Sequence, residues 1–207
     1  TKEDLSGFLG GWNDKFLGGK NVRKFEEQWS EFTNSKFTIT FNSNTSGLVA
    51  AIGAAGVEPG DQVIVTPYTM SATATAILAY QGIPIFADID EKSFCLNPIE
   101  VEKKINPKTK AIMTTGIFGH PSHMDGLLNL AKKHNLVVIE DAAQAPGAIY
   151  KNEIIGSKAD MTVFSLNVHK HIHTGEGGIL VTNNENLAKR LQLIRNHGEA
   201  IVDDMGV

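Results

Sequence analysis

The chain has 207 residues, 42% of them hydrophobic, and a formal net charge of −4, enough for one substantial domain with its own core. It has no run of about 18 apolar residues to cross a membrane, and its Lys and Arg are scattered rather than gathered into a nucleic-acid footprint. The single cysteine, Cys95, excludes an internal disulfide, and no Cys/His spacing resembles a zinc site.

Residues 1–21, with two Gly-Gly pairs, read as a loosely structured N-terminal arm ahead of a domain over 22–207. The arm lacks the basic, apolar, small-residue order of a signal peptide, which leaves a cytoplasmic protein as the default. Thr1 in place of Met, and an end at Val207 without an obvious stop, suit a piece of a longer chain.

From residue 22 the pattern alternates: helix over 22–33, strand over 37–41, helix over 46–56, strand over 62–66, helix over 70–81 and strand over 83–88. It continues with helix over 98–105, strand over 110–115, helix over 123–134 and strand over 136–140. Two further strands, 160–165 and 178–182, precede a last helix over 184–197 anchored by Leu187, Leu191 and Ile194. The strands are mostly continuous in hydrophobicity, as strands covered on both faces are. The reading is an α/β three-layer sandwich around a seven-stranded, mostly parallel sheet. Only about a dozen residues, with no helical period, join the sixth and seventh strands. A parallel crossover needs a helix, so the last strand is expected to be antiparallel.

Three segments carry chemistry. In FSLNVHKHIHTGEGG (164–178), Lys170 stands in the short linker between two strands, with Ser165 before it and Gly175 after it, placed to form a Schiff base. In LVVIEDAAQA (136–145) an apolar strand runs into Glu140 and Asp141, and the carboxyl end of a buried strand is where open α/β folds put ligand chemistry. A lysine of this kind needs an electron sink, which pyridoxal phosphate (PLP) provides when an acid such as Asp141 keeps its ring nitrogen protonated. In NSNTSGL, Asn44, Thr45 and Ser46 precede a helical pattern, and the start of a helix binds a phosphate.

Each residue also has a plainer reading. Asp141 could cap the next helix, as Thr45 and Ser46 could cap theirs. Gly175, Gly177 and Gly178 read as turn residues, Glu176 as structural, and Trp12 and Trp29 as packing residues. His169, His171 and His173 alternate in direction along an extended loop and have no carboxylate at ligand spacing, so no metal is expected; His169 or His171 is placed to line a substrate pocket.

With these segments in place, the chain resembles the DegT/StrS family of PLP-dependent nucleotide-sugar aminotransferases, of fold type I. Gly19, Val22, Phe25 and Glu26 look like the family's entry motif, NSNTSGL like its NSGTSAL phosphate loop, and TPYTMSATA like its segment over the cofactor. IFGHPSHMD, VIEDAAQAPGA and FSLNVHKHIHTGEGG follow in the family's order, so the resemblance covers nearly the whole chain.

The resemblance implies roles by position. Lys170 corresponds to the Schiff-base lysine, Asp141 to the partner of the pyridine nitrogen, and Gln144 to the residue beside the ring and its phenolic oxygen. Thr45 and Ser46, with Ser165, correspond to the phosphate contacts. Asn44 replaces the usual glycine, tolerable because Asn enters left-handed backbone more readily than most residues. Met70 stands where the family stacks an aromatic ring on PLP, and a thioether can still press on a ring face.

The implied activity is transfer of an amino group from glutamate to a keto-sugar nucleotide, by a homodimer whose subunits share the active site. The family's smaller C-terminal domain would begin just after NHGEA (196–200). The alternatives are a PLP-dependent sugar dehydratase, in which histidine typically replaces the lysine, and a PLP-binding regulator, for which no DNA-binding segment precedes residue 37.

Overall fold

The computed structural model describes residues 16–201. In chain order it contains α1 (Lys20–Thr33), β1 (Phe37–Phe41), α2 (Asn44–Ala54), β2 (Gln62–Val65), α3 (Ser71–Leu78), β3 (Ile83–Phe86), α4 (Pro98–Glu102) and β4 (Thr109–Thr115). Then come α5 (Met124–His134), β5 (Val137–Asp141), a small hairpin of β6 (Ile149–Tyr150) and β7 (Glu153–Ile154), β8 (Met161–Ser165), β9 (Gly178–Thr182) and α6 (Glu185–Arg195). Seven strands form one sheet in the order β1-β9-β8-β5-β4-β2-β3. β9 runs antiparallel to both β1 and β8, and every other pair is parallel. The antiparallel seventh strand follows from its short, helix-free connection, as expected.

Strand alternation divides the core into two faces. Val63, Val65, Ala111, Met113, Ile139, Val163 and Leu180 pack with α2, α3 and α6. Ile64, Ile112 and Val138 face the opposite way, against Val101 of α4 and Leu127, Leu130 and Ala131 of α5. Phe164, Ile179 and Val181 continue that second face against Trp29 of α1, whose ring meets Phe164 edge-on at 5.4 Å. Helices on both faces make the three layers that the continuous apolar strands require. Among the described residues no helix is long and apolar enough to cross a membrane.

α2 is the most enclosed helix, with buried residues on all sides, the pattern of a helix surrounded by protein rather than lying on a surface. It lies between the sheet, α3 and α6. A side chain at Gly47 would put its Cβ 2.7 Å from Val163 Cγ1, so glycine there lets α2 settle on β8.

Several boundaries differ from the sequence reading. α2 starts at Asn44, capped by Ser43, whose hydroxyl accepts from Ser46 N at 3.1 Å; Thr45 and Ser46 are inside the helix. Asn44 is therefore helical and needs no left-handed backbone. α3 ends early because the chain reverses at Gln81 (φ 57°) and Gly82. The hairpin over 149–154 had no expected counterpart. Of the arm, residues 1–15, with Trp12, lie outside the described residues. Phe16 is 1% exposed and its carbonyl accepts from Asn196 Nδ2 at 2.6 Å, while Lys20 and Asn21 already belong to α1.

Candidate active site

Three parallel strands end on one cavity of about 190 Å³: β4 with Thr115, β5 with Asp141 and β8 with Ser165. The amino ends of α2 and α3 close it with Ser43, Asn44, Thr45 and Met70, and the loop after β8 adds Asn167, His169, Lys170 and Glu176. This is the carboxyl edge of the sheet, the ligand-binding edge of open α/β folds.

Asp141 is 3% exposed. Its Oδ2 accepts from Thr73 Oγ1 at 2.8 Å, and its Oδ1 from Ala143 N at 3.1 Å and Asn44 Nδ2 at 3.3 Å. Burial pushes the carboxyl above the usual range; the bonds from Thr73, Ala143 and Asn44 and the charge of Lys170 oppose that. A buried carboxylate with this many donors is built to be an anion once a cation arrives. Lys170 is half-buried on the loop, and its own N–H bonds to the carbonyl of Asn167 at 2.9 Å. The loop's neck is closed by Asn167 Nδ2 donating to Glu176 Oε2 at 2.6 Å and by Leu166 N donating to Gly177 O at 2.9 Å. The bond from Asn167, and then that from Gly177 N, hold Glu176 below the usual carboxylate range, with a smaller part from His169.

Gln144 lines the cavity and accepts from Phe118 N at 2.7 Å. Met70 is 65% exposed at the cavity's edge. Of the residues expected to hold the cofactor, Ser46 is the one that does not line this cavity. Its hydroxyl bonds Ser43 and Asn42, and it lines a neighbouring groove together with Ser43 and Thr45. His169 lines the cavity wall; His171 does not. Sequence reasoning missed Ser43, Thr69, Thr73 and Thr115. Thr115 could have been found by the strand-end rule that picked out Asp141, and Thr69 and Thr73 by their i, i+4 spacing across a helix start.

The site's own features fit PLP. Asn44 Nδ2 reaches from the cavity lining to the Asp141 carboxylate, while its Oδ1 is buried without a hydrogen-bond partner. The eleven-residue α2 points its amino end at the cavity, where a dianion is favoured. That end is held close against β9: a Cβ on Gly178 would lie 2.2 Å from the Ser43 carbonyl oxygen and 2.7 Å from Asn44 N. Asp141 could take the ring nitrogen, Lys170 the aldehyde carbon, and the start of α2 with Thr45 the phosphate.

Comparison with known proteins shows the family to which this fold belongs. The chain is 39% identical over 180 residues to the GDP-perosamine synthase of Caulobacter vibrioides, covering 87% of this chain and 48% of that one. The X-ray structure of an aminotransferase from Psychrobacter cryohalolentis superposes with a TM-score of 0.85 at 37% identity, over 87% of this chain and 46% of that one. The structure of NtdA from Bacillus subtilis, with bound cofactor PMP, superposes with a TM-score of 0.79 at 34% identity, over 84% and 39%. The chain thus spans about half the length of the curated relatives it matches. Pyridoxal phosphate is the family's cofactor. Since residues 10–205 match the family as a whole, and the fold agrees with it, the chain belongs to the DegT/DnrJ/EryC1/StrS aminotransferase family.

Proposed function

We propose that this chain is the cofactor-binding part of a PLP-dependent aminotransferase that moves an amino group from glutamate to a keto-sugar nucleotide. The observation that carries the reading is the meeting of Lys170, Asp141 and the amino end of α2 on one cavity. When bound, PLP supplies the electron sink that stabilises negative charge on the carbon losing its proton. Asp141 supports that sink by remaining ionised against the ring nitrogen, held by Thr73, Ala143 and Asn44. Lys170 Nζ, as a free amine, takes the proton from the substrate carbon and returns it, as general base and then acid. Ser165 and Thr45 would hold the phosphate, and Gln144 would lie beside the ring.

A second copy of the full-length chain completes the site in this reading. Tyr68, Phe94 and Phe118 form an exposed aromatic cluster with ring centroids 5.8–6.2 Å apart, tied to the cavity through Phe118 N and Gln144. A contiguous apolar patch of this kind suits a subunit contact.

The test is the glutamate half-reaction of the full-length protein, followed by amination of a panel of keto-sugar nucleotides. Changing Asp141→Asn is expected to leave the fold intact and slow the half-reaction by about a hundredfold or more. A parent rate in that variant would reduce Asp141 to a structural acid, and a product lacking nitrogen would point to sugar dehydration.

A further inference from the structure

We propose that Thr73 is a positioning residue for this reaction, the last member of a one-way hydroxyl chain that fixes the Asp141 carboxylate and keeps it anionic. The proposal rests on the reading of Asp141 as the ring-nitrogen acid.

The direction of the chain follows from counting protons. Each hydroxyl owns one. Thr73 Oγ1 directs its proton to Asp141 Oδ2, 2.8 Å away, so its 2.8 Å contact with Thr69 Oγ1 requires Thr69 as the donor. Thr69, with its one proton committed to Thr73, must then accept from Thr115 Oγ1, at 3.1 Å. All three donations run toward the carboxylate.

That polarity selects the charge state. A proton on Oδ2 would compete with the one that Thr73 directs at the same oxygen, and Thr73, with Thr69 already donating to it, would have to send its proton elsewhere. A chain of aligned hydroxyls polarises each member, so its effect at the carboxylate exceeds that of a lone bond. Selection is needed here because burial favours the neutral acid. The other ionisable groups around the carboxylate are Lys170, which favours the anion, and the neighbouring Glu140, which Asp141 in turn makes harder to ionise.

Placement separates Thr73 from the ligand contacts. Thr69 and Thr115 line the cavity, whereas Thr73 is fully buried behind it in the first turn of α3 and does not. The chain therefore links the end of β4, the loop before α3 and α3 itself to the end of β5, with Thr73 making the bond to Oδ2. The spacing of Thr69 and Thr73 across the start of α3 brings the two hydroxyls together.

The experiment follows the side-chain carboxyl of Asp141 by carbon NMR during a pH titration of the full-length, cofactor-free protein. Replacing Thr73→Val keeps the shape and removes the hydroxyl, and is expected to raise the proton affinity of Asp141 by about tenfold. Thr73→Ser is expected to restore the parent titration, and Thr69→Val to shift it in the same direction by less. In the PLP-loaded protein the acid limb of the half-reaction's pH profile moves with the titration for each variant. A Thr73→Val titration equal to the parent's would overturn the proposal, as would a folded Thr73→Ser that behaves like valine. If the valine variant does not fold, an unshifted Thr69→Val decides against it. An unimpaired half-reaction in Asp141→Asn sinks the ring-acid reading instead, and leaves the titration results standing.

Discussion

Met70 presents a thioether at the cavity's edge with 65% of its surface exposed. If it presses on the cofactor ring, a larger flat face at that position adds contact area. Met70→Phe is expected to tighten PLP retention by a few-fold, about 0.5–1 kcal/mol, or leave it unchanged, as read by equilibrium dialysis. Loss of PLP from that variant would show that the side chain does not meet the ring. At this scale the sequence was readable where one residue's position decides its environment. Asp141 ends an apolar strand and Lys170 sits in the linker between two, and both line the cavity. For Thr69, Thr73 and Thr115 strand-end position and i, i+4 spacing mark the places, but the bonds from Thr115 to Thr69 and from Thr73 to Asp141, 46 and 68 residues apart in the chain, leave no local trace. Ser46 was selected from the same hydroxyl-rich segment that also contains Ser43, yet Ser43 is the cap and faces the cavity.

α2 and β9 form the contact on which the phosphate end depends. β9 begins with Gly178, and a Cβ there would meet backbone, 2.2 Å from Ser43 O and 2.4 Å from Ser43 C, which no side-chain rotation relieves. Gly178→Ala is expected to destabilise the protein by about 1–3 kcal/mol and to weaken PLP about tenfold or more by displacing the amino end of α2. Denaturant unfolding and PLP titration measure the two effects, and parent-like values in both would contradict this account of the glycine. Sequence reading had assigned Gly178 to the turn, since a close approach between distant segments leaves no local trace. The β6–β7 hairpin escaped for a different reason. Its turn places Lys151 (φ 48°) and Asn152 (φ 70°) in left-handed backbone without the Asn-Gly pair that usually announces such a turn. By contrast, every strand of the main sheet lies within one or two residues of its apolar run, and in the central strands burial on both faces leaves a continuous signal.

For the whole molecule, the buried acid next to Asp141 sets how stability responds to pH. Glu140 points away from the cavity and is 1% exposed, with Oε1 lacking a partner. Burial pushes its carboxyl from 4.5 up to about 7, against the bonds from Ser122. A native pKa above the unfolded one means that the folded protein holds the proton more tightly, so stability falls as pH rises from 4.5 through 7. The full loss amounts to roughly 3 kcal/mol. Glu140→Gln keeps the shape and cannot ionise, so its stability relative to the parent is expected to grow by up to that amount between pH 5 and pH 8. Denaturant unfolding at the two pH values checks this, and a constant difference would place the proton elsewhere.

The account of the molecule as a PLP protein stands on Lys170. Reduction of the PLP-loaded full-length protein with borohydride, followed by peptide mass mapping, locates the bond directly. The account predicts a pyridoxyl adduct on Lys170 and on no other lysine. An adduct on Lys151 or Lys158, with Lys170 unmodified, would contradict it.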